Sequence, residues 1–103
     1  MKKNSSAILE MAVIERLRGV IDPETNADVI RMRLVQDLTA DDQGLVSYTF
    51  RPSSPLCPIA VFLAQQIKSA VGQVPGVSAQ KIKVSGYVAA EELTELINKE
   101  TTI

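Results

Sequence analysis

The chain has 103 residues, 46% of them hydrophobic, with 11 basic and 12 acidic side chains, a net charge of -1, one cysteine and neither histidine nor tryptophan. That length makes one domain, residues 1–103, able to bury roughly 60 to 70% of the surface its unfolded chain exposes without metal or disulfide staples. The composition excludes an intrachain disulfide, the thiolate-imidazole pair of most thiol enzymes, and a strong overall field for nucleic acid.

In chain order, Met1-Lys2-Lys3 leads into a helix pattern that carries Glu10, Glu15, Arg16 and Arg18. No apolar signal core follows the basic start and no uncharged run approaches membrane-spanning length, so a cytoplasmic protein with no membrane partner is expected. Ser5 or Ser6 can cap this helix and Gly19 can end it, with Leu9, Ala12, Val13 and Leu17 on one stripe. Val20-Ile21-Asp22-Pro23-Glu24-Thr25-Asn26 then reads as a turn, because Pro23 biases Asp22 away from helix. Asp22 and Glu24 could ligate a hard cation, but the spacing favours Asp22 accepting hydrogen bonds from nearby backbone N-H groups.

From Val29 the pattern alternates, with Ile30, Met32, Leu34 and Leu38 on one face and Arg31, Arg33, Val35 and Asp37 on the other. This predicts a half-buried strand. Asp41-Asp42-Gln43-Gly44 supplies a turn, and Val46, Tyr48 and Phe50 alternate with Ser47, Thr49 and Arg51 as the second arm of an antiparallel hairpin.

Ser53-Ser54-Pro55-Leu56-Cys57-Pro58 follows, with the only thiol of the chain. Pro58 suits the first position of a helix to about Val71, which would set Cys57 at or next to the N-cap, where the helix dipole favours a thiolate. A small buried apolar role for Cys57 stands beside that reading with equal weight. In this helix Ile59, Phe62, Leu63, Ile67, Ala70 and Val71 form the apolar side, and Gln65, Gln66, Lys68 and Ser69 the polar side. Gly72 ends it, Pro75-Gly76 makes a turn, and Ile82 and Val84 alternate with Lys81 and Lys83 in a third strand. Ala89, Leu93, Leu96 and Ile97 mark a last helix with Glu91 and Glu92 in its first turn.

The expected fold is therefore α+β: a two-layer domain of order α-β-β-α-β-α, a small three-stranded mixed sheet with helices on one face. Its core runs from about 7 to 85, with a C-terminal helical extension over 88–99. The open face would then show Arg31, Arg33, Arg51, Lys81 and Lys83, a partner-binding basic face for an acidic surface or phosphate backbone. A solvated face with lysines blunting sheet edges is the favoured alternative. Tyr48 and Phe50 point away from it, so nucleic-acid binding is expected to be weak and salt-sensitive.

The chain resembles the small iron-sulfur cluster assembly domain found in SufT, in PaaD, in cytosolic iron-sulfur targeting factors and ahead of some cluster-carrier ATPases. The resemblance runs from about Leu9 to Val84. It rests on Gly19-Val20-Ile21-Asp22-Pro23-Glu24, on Leu34-Val35, on the segment from Ser53 to Pro58, and on Val74-Pro75-Gly76-Val77. Thr25-Asn26 and the two arginines Arg31 and Arg33 depart from the family pattern, and Ser53 replaces its usual threonine while keeping the hydroxyl.

The resemblance implies a factor that assembles or targets iron-sulfur clusters as an adaptor or transient carrier, with Cys57 as the functional thiol and Asp22 and Glu24 near it. The partners implied are iron-sulfur client or assembly proteins. One thiol per chain cannot supply the four ligands a cluster normally takes, so no permanently bound cofactor is expected. A transient cluster or a single metal ion would be held by Cys57 with Asp22 or Glu24, or shared across a homodimer. Two other readings stand beside this one: an interaction subunit of a PaaD-like oxygenase assembly, and a thiol-dependent enzyme, which lacks an evident base.

Overall fold

The computed structural model describes residues 2–54, 56 and 59–99, with side chains described from residue 7 onward. Pro55, Cys57 and Pro58 lie outside the described residues. The elements run α1 (Lys2–Leu17), β1 (Val35–Ala40), β2 (Leu45–Phe50), α2 (Ala60–Gly72), β3 (Ala79–Val84) and α3 (Ala90–Lys99). The order is the expected α-β-β-α-β-α, in an α+β domain with a three-stranded mixed sheet.

β2 is the central strand, antiparallel to β1 and parallel to β3. A parallel neighbour cannot be reached by a tight hairpin, so α2 serves as the crossover between β2 and β3. Val46, Tyr48 and Phe50 of β2 are buried, as are Ile82 and Val84 of β3. They meet Val13 and Leu17 of α1 and Leu63, Ile67 and Val71 of α2 in one core. The period of two in the strands and of three to four in the helices thus converges on a single layer boundary.

Three details differ from expectation. The strand predicted from Val29 begins only at Val35. Residues 29–33 instead form one helical turn: the Asp28 side chain accepts from Arg31 N at 2.8 Å, and Met32 N donates to the Asp28 carbonyl at 3.1 Å. Arg33, at φ 60, ends that turn in the left-handed region, with Leu34 N reaching back to Val29 O at 2.9 Å. An N-cap and a Schellman-type stop satisfy the local backbone better than an unpaired strand extension would.

Second, β1 carries a bulge. The pairings Val35 with Phe50 and Gln36 with Thr49 shift by one before Thr39 with Ser47 and Ala40 with Val46, and Asp37 sits at φ 54. Two residues of β1 therefore face one of β2, and the alternation read through Leu38 loses its frame there.

Third, α2 begins at Ala60 with Ile59 at its N-cap, two residues after the predicted start. The buried stripe is Ala60, Leu63, Ala64, Ile67, Ala70 and Val71, which leaves Phe62 49% exposed. Lys68, expected on the polar side, is buried. Its Nζ donates to the carbonyl of Ile97 in α3. The long stem reaches under α3 and satisfies a last-turn carbonyl, where a cation also suits the helix dipole.

Candidate functional site

The acidic turn is built by its own backbone. Val29 N donates to Val20 O at 3.0 Å, Ile21 and Asp28 form an isolated bridge, and Asp22 N donates to Ala27 O at 2.9 Å. Asn26, at φ 62, turns the chain back and donates from its N to Asp22 O at 2.7 Å. Asparagine tolerates that left-handed conformation better than most residues. Inside this neck the Asp22 Oδ1 accepts from Glu24 N at 2.8 Å.

Asp22 is fully buried, and its second oxygen, Oδ2, is also buried with no hydrogen-bond partner among the described residues. A buried carboxylate oxygen without a donor is costly, so this atom marks a position that sequence spacing alone could not single out. Glu24, two residues on, is exposed. Proline at position 23 therefore separates an inward acid from an outward one.

The turn sits against the second helix. Ile21, Val20 and Gly19 share a small groove of about 200 Å³ with Phe62, Gln66, Ser69, Ala70 and Gln73, and Arg16 closes it by donating to the Gln73 side chain at 2.7 Å. Ile21 and Phe62 are both large apolar side chains left 45% and 49% exposed. Ser53 and Ser54 lie in the bend after β2, exposed, and Ser54 Oγ accepts from Leu56 N at 3.3 Å. Leu56 is 74% exposed. The rest of the cysteine loop, Pro55, Cys57 and Pro58, falls outside the described residues.

The predicted basic face is divided. Lys81 and Lys83 stand on the open side of β3, in register with Ser47 and Thr49 of β2, and line a shallow trough of about 670 Å³ that also takes in Asp37, Thr94 and Asn98. Arg51, exposed at the end of β2, lies over Gly86. Arg31 and Arg33 belong to the helical turn at 29–33 rather than to the sheet. Lys83 also shares a depression with Glu91 and Glu95. The positive charge of this face is therefore smaller and more balanced than the strand alternation predicts.

Sequence reasoning missed a partly buried polar chain. Tyr48 donates its hydroxyl to Gln80 Oε1 at 2.9 Å, and Gln80 Nε2 donates to Lys68 O at 2.9 Å. Burial pushes the Tyr48 phenol well above its ordinary value by withholding solvent from the charged form. Only the register of Tyr48 with Ile82 brings Gln80 to the same face two residues away. No group of three or more metal-ligating side chains occurs among the described residues. No helix of the described residues is long and apolar enough to cross a membrane.

The chain is 30% identical to the Fe-S protein maturation auxiliary factor YitW of Bacillus subtilis, over 74% of this chain and 78% of that one. It is 34% identical to the iron-sulfur cluster carrier protein of a Synechocystis strain, over 72% of this chain but only 21% of that longer protein. The crystal structure of a domain of unknown function from Bacillus anthracis superposes with a TM-score of 0.74, at 26% identity and over 92% of both chains. The profile described as iron-sulfur cluster assembly protein matches residues 10–84, from α1 to the end of β3, and so the chain belongs to the iron-sulfur cluster assembly protein family.

Proposed function

We propose that the chain acts in the maturation of iron-sulfur proteins as a non-enzymatic adaptor or transient carrier, with Cys57 as the thiol that meets the cargo. The observation that carries this reading is the family match over residues 10–84, which includes the only cysteine in the chain. The chemistry of the donor set supports a transient role. A cluster normally takes four ligands, mostly thiolates, and one chain offers one. The remaining ligands then come from a client, a donor protein or a second copy of the chain.

Asp22 and Glu24 are assigned different parts. Asp22, buried and held by the turn, keeps the loop's shape through Glu24 N, and its second oxygen, without a partner among the described residues, is available to a neighbouring donor. Glu24, exposed, is free to meet a partner or a metal ion as an oxygen ligand. Carboxylates suit a soft cluster less well than thiolate does, so neither replaces Cys57. Without a histidine the chain has no imidazole to act as base to this thiol, which favours carriage over turnover.

The test is cluster loading. Parent and Cys57→Ala proteins are given ferrous iron and sulfide without oxygen, freed of loose iron sulfide by size exclusion, and compared by visible absorption. A charge-transfer band in the parent alone is expected, with iron per chain and light scattering reporting whether two copies share the cluster. Equal bands in both proteins would remove Cys57 from the carrier role. No band in either would leave only the adaptor role, read as capture of a client apoprotein.

A further inference from the structure

We propose that α3 is an edge guard: Thr94 and Asn98 take the place of an outer strand neighbour of β3 and keep a second copy of the chain from pairing along that edge. Among the described residues β3 has β2 on one side and no strand on the other, so its outer side presents backbone groups without a strand partner there. Asn98 answers two of them at one residue. Its Oδ1 accepts from Ile82 N at 3.0 Å and its Nδ2 donates to Ile82 O at 2.6 Å. That is the donor and acceptor pair an adjoining strand would offer. Thr94 Oγ1 accepts from Val84 N at 3.0 Å while donating to Ala90 O at 2.7 Å.

The spacing makes the substitution work. Four residues of helix rise about 6 Å and two residues of strand about 6.6 Å, so side chains at i and i+4 of a helix running against the strand reach alternate strand residues. Asn98 meets the earlier residue, Ile82, and Thr94 the later, Val84. Leu93 and Ile97, on the neighbouring side of α3, are buried in the core, and Lys68 of α2 holds Ile97 O.

The other edge is closed by different means. In β1 the bulge at Asp37 breaks the ladder, and Glu10 of α1 takes Ala40 N at 3.1 Å. β3, by contrast, is regular, with all its residues from Ala79 to Val84 in unbroken register with β2. It is therefore the edge most able to pair if uncovered. The family profile ends at Val84, so the guard is built from residues beyond the matched segment.

The experiment uses full-length Asn98→Ala, Thr94→Val and the double variant, with Thr94→Ser as the conservative control. Amide exchange is read residue by residue, and mass by light scattering over a concentration series. The expected result is exchange at least about tenfold faster at Ile82 in Asn98→Ala and at Val84 in Thr94→Val, with Tyr48 and Phe50 amides unchanged. Val84 keeps its protection in Thr94→Ser, and the double variant dimerises as concentration rises while the parent stays monomeric. Unchanged edge amides, acceleration of Tyr48 and Phe50 together with Ile82, or a double variant that remains monomeric with its edge amides exposed would each overturn the proposal. If the double variant does not fold, Asn98→Ala carries the same exchange and mass readouts alone.

Discussion

Asp22 and Lys83 were both singled out by charge pattern, yet the fold treats them in opposite ways. Asp22 is fully buried in a neck of backbone hydrogen bonds, with one oxygen engaged and the other unpartnered among the described residues. Lys83 is exposed on an open sheet face, beside another lysine and close to Glu91 and Glu95. A polar group held inside takes part in building the local structure, whereas a charge on an open strand face is mostly solvated and contributes little to stability.

The contrast between the two residues is largest at the turn. Asp22→Ala removes the acceptor for Glu24 N and is expected to lower the unfolding free energy by about 1 to 3 kcal/mol in urea titrations. Asp22→Asn keeps an oxygen acceptor at that place and should cost less. A loss for Asp22→Ala no larger than that of a surface substitution would remove the contrast.

Tyr48 is a second polar group held inside. Tyr48→Phe deletes the hydroxyl that Gln80 accepts and is expected to cost about 1 kcal/mol near neutral pH. Burial raises the Tyr48 phenol above its ordinary value in the folded chain, while the unfolded chain ionises near pH 10. The neutral phenol's contribution is therefore complete below about pH 10 and is lost as pH rises above it, by up to about 1.4 kcal/mol per pH unit. Denaturation curves taken on either side of that pH should show a shallower decline for Tyr48→Phe than for the parent. Parallel declines would place the hydroxyl in solvent.

The smallest effect is expected on the open face. Lys81→Glu combined with Lys83→Glu should change stability by no more than about 0.5 kcal/mol. Melting temperatures of the two proteins, measured at low and high salt, check this. A large loss would mean that these lysines support the sheet from outside.

Much of the fold was legible because strands and helices print their periods on the sequence. Val46, Tyr48 and Phe50 alternate cleanly and are buried, and Leu93 and Ile97 mark the inner side of α3. The stretch Ile30-Arg31-Met32-Arg33-Leu34 alternates just as cleanly and is not a strand. There, capping by Asp28 and the left-handed Arg33 outweigh a pattern that no neighbouring strand rewards. At the candidate site, the aspartate-proline spacing announced that Asp22 would accept a nearby backbone N-H. Nothing in the spacing announced that its other oxygen would be buried without a partner among the described residues, because burial depends on what packs over the turn.

The same division runs through the whole molecule. Sequence alone determined the order of elements, the inward faces of β2 and β3, the turns at Gly44 and at Pro75-Gly76, and the family resemblance over most of the chain. These are local or periodic properties, set by backbone sterics and by which side chains leave water. Tertiary structure decided that β3 lies parallel to β2 with α2 as the crossover, that Lys68 is buried to hold Ile97 O, and that α3 covers the sheet's outer edge. Those outcomes depend on residues far apart in sequence meeting at hydrogen-bonding distance, and no single stretch of sequence states which partner each will find.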